Sequence, residues 1–141
     1  MLNFHKLRAT SPDPAILLIR LMVGGVFFSE GIQKWLYPAS RGAGRFAKIG
    51  LPAPELLGMF VGTTEMLCGL LVLVGLMTRL AVLPLLAIMA VALLSTKLPI
   101  LLADGVWEVL HAARTDLCMV LGCLFLLYKG AGSRSLDVTP R

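Results

Sequence analysis

Charge is scarce in this sequence: Asp, Glu, Lys and Arg make up 15% of its 141 residues, against about 25% in an ordinary soluble domain. The formal charge of +5 would suit nucleic acid, but no basic run is long enough to track phosphates, which excludes that partner. Cysteine is rarer still. Cys68, Cys118 and Cys123 stand inside apolar segments and form no C-x-x-C, so neither a disulfide framework nor a zinc site is indicated. They read as buried packing residues. Only His111 falls in a membrane-length segment, whereas a haem held by two histidines needs a pair. Internal repeats, low-complexity tracts and a second domain are also missing, so the 141 residues read as a single domain.

What fills the chain instead is apolar. Hydrophobic residues make up 57% and the mean hydropathy is +0.86, above the roughly 45–50% apolar content of soluble globular chains. This implies an all-α, polytopic membrane protein, because backbone polar groups in hydrocarbon must be satisfied within each helix. Four spanning segments are expected, at about residues 14–35, 55–76, 80–96 and 109–128, forming one four-transmembrane-helix bundle surrounded by membrane lipid. At about 1.5 Å per residue, a 22-residue segment covers about 33 Å, enough for the hydrocarbon core. Pro12 and Pro14 suit a helix start, and Trp35 and Tyr37 suit the opposite interface. No cleavage site follows the first segment, so it is expected to stay as a helix. Residues 37–53 read as a polar loop closed by Gly50-Leu51-Pro52-Ala53-Pro54. Gly58 and Gly62 form a G-x-x-x-G pair that admits a close neighbour. Thr78-Arg79 makes a short reversal and forces the second and third segments antiparallel. The fourth segment is the weakest, since its first third is polar.

Ionisable residues inside such segments cost about 2.5–3.5 kcal/mol each at mid-membrane, so each points to a function. Here they are Arg20, Glu30, Lys34, Glu65, Lys97, His111, Arg114 and Asp116. Counting about 1.5 Å per residue from the terminal side places Arg20 at about 9 Å, with the other seven from the midplane to the opposite face. Glu30 and Lys34 are spaced to pair on one helix, and Arg20 is within reach of Glu65 across the first two. Two readings follow. The charges lock the bundle as buried ion pairs, or Arg20, Glu30, Lys34, Glu65, Arg114 and Asp116 form an intramembrane polar pocket that moves protons or holds a polar head group, such as that of a quinone. For Lys34, Lys97 and His111 the simpler alternative is snorkelling to the interface. Positive charges tie at six on each side, so the positive-inside rule gives no orientation; cytoplasmic termini are the expectation, because some opposite-side charges look engaged within the bundle.

Arg20, Gly24, Phe27, Gly31 and Lys34, then Gly50-Leu51-Pro52, Glu65, Gly69, Gly75 and Thr78-Arg79 fall in an order that resembles the DoxX family. The stretch from Gly130 to Asp137 resembles its C-terminal end, and Ser29–Lys34, Gly42–Phe46 and His111–Asp116 resemble one bacterial subgroup. The resemblance implies four transmembrane helices in a bacterial cytoplasmic (inner) membrane. It also implies a role beside membrane oxidoreductases that are linked to quinone or to oxidative and thiol stress. No catalytic residues are carried over with it. The first functional expectation is therefore an accessory or anchoring subunit of a membrane redox complex, with oxidoreductase subunits as partners. No cofactor site is evident apart from room for a quinone. Catalysis by the chain alone is disfavoured, because Cys118 and Cys123 point to different faces of a helix. The second is a small homo-oligomeric proton-coupled transporter using Glu65, and the third a structural or assembly protein.

Overall fold

Proline and glycine decide where the apolar runs of this chain stop being helical. The computed structural model describes Arg8 and residues 10–138, and these are helical with no strand among them. α1 spans Ile16–Leu36, α2 Ala43–Lys48, α3 Pro54–Val74 and α4 Thr78–Ala92. A π-helical segment, Leu93–Lys97, leads into α5, Leu98–Asp104, and the chain closes with α6, Val106–Ala112, and α7, Arg114–Lys129.

α1 ends at Tyr37, which precedes Pro38 and leaves helical geometry (φ −127°, ψ 60°), as a residue before proline tends to do. α3 starts with Pro54 in its first turn, where a missing N–H is harmless. It stops at Gly75, whose φ of 70° is left-handed, two residues short of the expected end. A tight turn through Leu76 and Met77 then starts α4, antiparallel to α3.

Three expectations change. Residues 37–53 carry a helix of their own, α2, where a polar loop was expected. The third segment does not end near residue 96: helix continues from Thr78 to Asp104, 27 residues. Widening to π geometry over Leu93–Lys97 lets the chain restart so that Pro99 falls in the first turn of α5, where proline is tolerated. The fourth segment is broken, since α6 and α7 meet at 66° across Ala113. Three helices are thus long and apolar enough to cross a membrane, or four if the bent pair is one pass.

α1 and α3 lie closest together, along a seam of glycines seven residues apart on each helix. A Cβ on Gly24 would lie 2.8 Å from the Gly69 carbonyl oxygen, and one on Gly31 would lie 2.6 Å from that of Gly62. Gly58, read from the sequence with Gly62 as one close-packing pair, faces the backbone of Ala43 in α2 instead. Behind this seam α4 and α7 enclose a core that includes Val23, Phe27, Val72, Val82, Leu85, Cys123 and Leu126. Outside, Leu18, Leu56, Phe60, Leu67, Leu94 and Leu121 are each at least 60% exposed. Such a surface would aggregate in water but suits lipid.

The seam predicts a sharp contrast. In Gly69→Val the first added carbon would sit 2.7 Å from the Phe28 backbone nitrogen, which cannot yield without parting the helices. Thermal unfolding in detergent should show a loss of about 1–3 kcal/mol. Gly25→Ala, with nothing within 4 Å of the new carbon, should be neutral or slightly stabilising.

Candidate functional site

Two groups of buried polar side chains stand apart in the bundle. The first surrounds Arg20, which is 2% exposed. Its Nε donates to the Val72 carbonyl at 2.8 Å, Nη2 to the Leu73 carbonyl, and Nη1 to the carbonyls of Ala131 (3.2 Å) and Arg134. The guanidinium therefore supplies donors to the carbonyls at the end of α3 and holds the tail that follows α7. Asp137 completes the arrangement from the tail side. Its carboxylate accepts the backbone N–H groups of Met77 (2.7 Å) and Thr78 (3.0 Å) at the start of α4, as a helix-capping acid does. Arg8 Nε lies 3.5 Å from the same carboxylate. The expected Arg20–Glu65 pair is not formed: backbone carbonyls satisfy Arg20, and Glu65 has another partner.

That partner is Lys34, whose Nζ lies 2.6 Å from Glu65 Oε2 and 3.7 Å from Glu30 Oε2. The Lys34 side chain is 10% exposed and that of Glu65 6%. Lys34 is thus drawn inward, and does not snorkel as the simpler sequence reading has it. Lys97 pairs with Asp116, Nζ to Oδ2 at 3.2 Å, so it too is engaged. His111 is exposed.

Glu30, Lys34, Glu65 and Asp116 line one cavity of about 500 Å³, a volume typical of small-molecule sites. Its walls are apolar, formed by Phe27, Val61, Ile88, Met89 and Met119 from α1, α3, α4 and α7. α2 contributes Arg45 and Phe46, with Arg41 just before it. Of the six residues that the sequence singled out, these four share the cavity and two do not. Arg20 belongs to the tail clasp. Arg114 is exposed and donates to the His111 carbonyl at 2.6 Å, because the bend at Ala113 turns it away.

Sequence reasoning missed Arg41 and Arg45, which it left in a loop, and Asp137, quoted only as part of a familiar ending. The run Arg45-Phe46-Ala47-Lys48-Ile49, in which polar and apolar residues are interleaved, was the available sign of α2. Among the cysteines, Cys123 is buried and Cys68 partly so, but Cys118 is exposed, on the outer face of α7 and not packed as expected.

Long apolar helices, a lipid-suited exterior and a charged interior cavity define a multi-pass helical membrane protein. The DoxX family model matches residues 15–98, from α1 through the π-helical segment, and the chain belongs to the DoxX family. It is 50% identical over 137 residues to an uncharacterized membrane protein of Mycobacterium tuberculosis, covering 93% of this chain and 83% of that one. No solved structure matches it. Arg20, Lys34 and Glu65 fall within the family match; Asp116 and Asp137 lie beyond it.

Proposed function

We propose that this protein is an accessory subunit of a membrane redox complex and contributes to it a binding cavity for a lipid-soluble ligand of the quinone class. The supporting observation is the cavity itself, with apolar walls and Lys34 and Glu65 at 2.6 Å on its lining. A lysine ammonium carries three donors and a carboxylate about four acceptor positions. Together they can hold the oxygens of a ring head group whose isoprenoid tail lies against hydrocarbon. Redox chemistry would then reside in partner subunits, since the cavity brings acids and bases together but no thiol pair. The redox assignment itself comes from the family resemblance.

Extraction in mild detergent at native abundance tests this. The expected result is co-purification of an oxidoreductase subunit, together with a quinone recoverable by solvent extraction. A colourless homo-oligomer with neither would overturn the proposal and put a proton-coupled transporter first. One observation favours that second reading: Glu65 is a buried carboxylate reached by a cavity, as an exchanging acid must be.

A further inference from the structure

The charges around the cavity restrict its occupant further, provided that the quinone-class reading holds. Glu30 and Glu65 face Lys34, and Arg45 is near enough to attract Glu65 electrostatically. Asp116 has Lys97. Each of these carboxylates therefore faces a cation, and a cationic head would find no free carboxylate there, while Arg41 and Arg45, exposed on the same lining, leave the cavity without an excess of acid. A head group without positive charge fits.

Hydrogen bonding selects among such heads. Lys34 Nζ, 2.6 Å from Glu65 Oε2, is the close donor to this carboxylate, and no other hydrogen bond to it is formed among the described residues. Glu65 thus keeps most of its acceptor positions unfilled while facing the cavity from a side chain that is 6% exposed. A buried acceptor without donors is costly. A carbonyl-only ring cannot supply one. A hydroxyl-bearing ring can, and Phe27, Phe46 and Phe60 on the lining offer aromatic surface for it.

We infer that the cavity prefers a neutral hydroquinone-type head, with one hydroxyl donating to Glu65 and an oxygen accepting from Lys34, over the oxidised quinone of the same compound. A site built to hydrogen-bond a hydroxyl rejects an analogue lacking it, because its own polar group is then left unpaired.

The test uses the purified full chain in lipid nanodiscs and a decyl-chain benzoquinone, titrated in its oxidised and its chemically reduced form and followed by calorimetry. The reduced form should bind at least tenfold more tightly, equivalent to raising the potential of the bound two-electron couple by about 30 mV. In Glu65→Gln, whose amide can donate to a carbonyl, the two forms should come within about threefold of each other. Ile88→Trp, which fills the cavity without touching the ion pair, should abolish binding of both. Equal affinities in the unmodified chain, or a preference for the oxidised form, would overturn the inference and leave the cavity reading standing. Binding of neither form would overturn both. Tighter binding of tetraphenylphosphonium, competitive with the hydroquinone, would show the charge balance to be wrong and favour a cation carrier. The unmodified chain decides between the two forms even if Glu65→Gln does not fold.

Discussion

Arg20→Ala should lower the stability of the bundle by about 3–5 kcal/mol, the range found when one member of a buried charged network is removed, and should free the tail. The guanidinium serves four backbone carbonyls, two at the end of α3 and two in the tail. Removing it leaves the Leu73, Ala131 and Arg134 carbonyls without this donor, while Val72 keeps the Gly75 N–H at 3.2 Å, and each unsatisfied buried group costs about 1–3 kcal/mol. It also takes away a buried cation close enough to attract Asp137, which is 2% exposed and is ion-paired with Arg8. Arg20→Lys should recover little, since an ammonium cannot present the planar fork that reaches carbonyls in two directions. Two measurements check this: unfolding in a detergent titration, and limited proteolysis after Lys129. In the native protein the segment from Gly130 to Asp137 is held by backbone bonds such as Asp137 N–H to the Gly75 carbonyl at 2.8 Å, and it should resist cleavage. A protected tail and unchanged stability in Arg20→Ala would show that the clasp contributes nothing.

Lys34→Met should be about as damaging, for a different reason. It leaves Glu65 buried at 4% exposure with its close cation gone, a change that costs about 3–5 kcal/mol when a buried pair is broken from one side. Removing both charges is another matter, because apolar replacement of a buried pair is often neutral. Lys34→Met with Glu65→Leu should therefore fold within about 1 kcal/mol of the native protein, giving a coupling energy of several kcal/mol between the two positions. The same double variant should bind no hydroquinone. A folded double variant that has lost its ligand identifies the pair as a site; one that unfolds like Lys34→Met alone identifies it as a lock. Detergent melting and ligand titration on the same preparation give both answers.

The sequence was most legible where prolines and glycines punctuate it. Pro38, Pro54 and Gly75 bound α1 and α3 within a residue or two of the expected ends. Depth along each helix was also readable, and the structure brings Glu30, Lys34, Glu65 and Asp116 to one cavity lining. Counting residues gives depth but not the direction a side chain faces, and it considers only ionisable partners. Arg20 was therefore matched to Glu65, because the carbonyls that hold it are invisible to a search for charges. Arg114 was lost for a related reason. The arithmetic assumed a straight helix through Ala113, and nothing in His111-Ala112-Ala113-Arg114 marks a 66° bend. The helix α2 escaped because six residues give less than two turns of pattern, so the interleaved run from Arg45 to Ile49 was outweighed by the glycines and prolines around it.

That bend makes the two sides of the bundle unequal in height. α7 has 16 residues and rises about 24 Å, short of the roughly 30 Å hydrocarbon layer, while the run from Thr78 to Asp104 rises about 40 Å. With Trp107 83% exposed on α6, the break allows the short arm to lie along the membrane shoulder, where tryptophan is at home. Lipids beside α7 must then shorten or tilt, while those beside α4 and α5 meet an overlong wall. Changing the acyl-chain length of the host membrane should therefore act first on α7, the helix that brings Asp116 to the cavity.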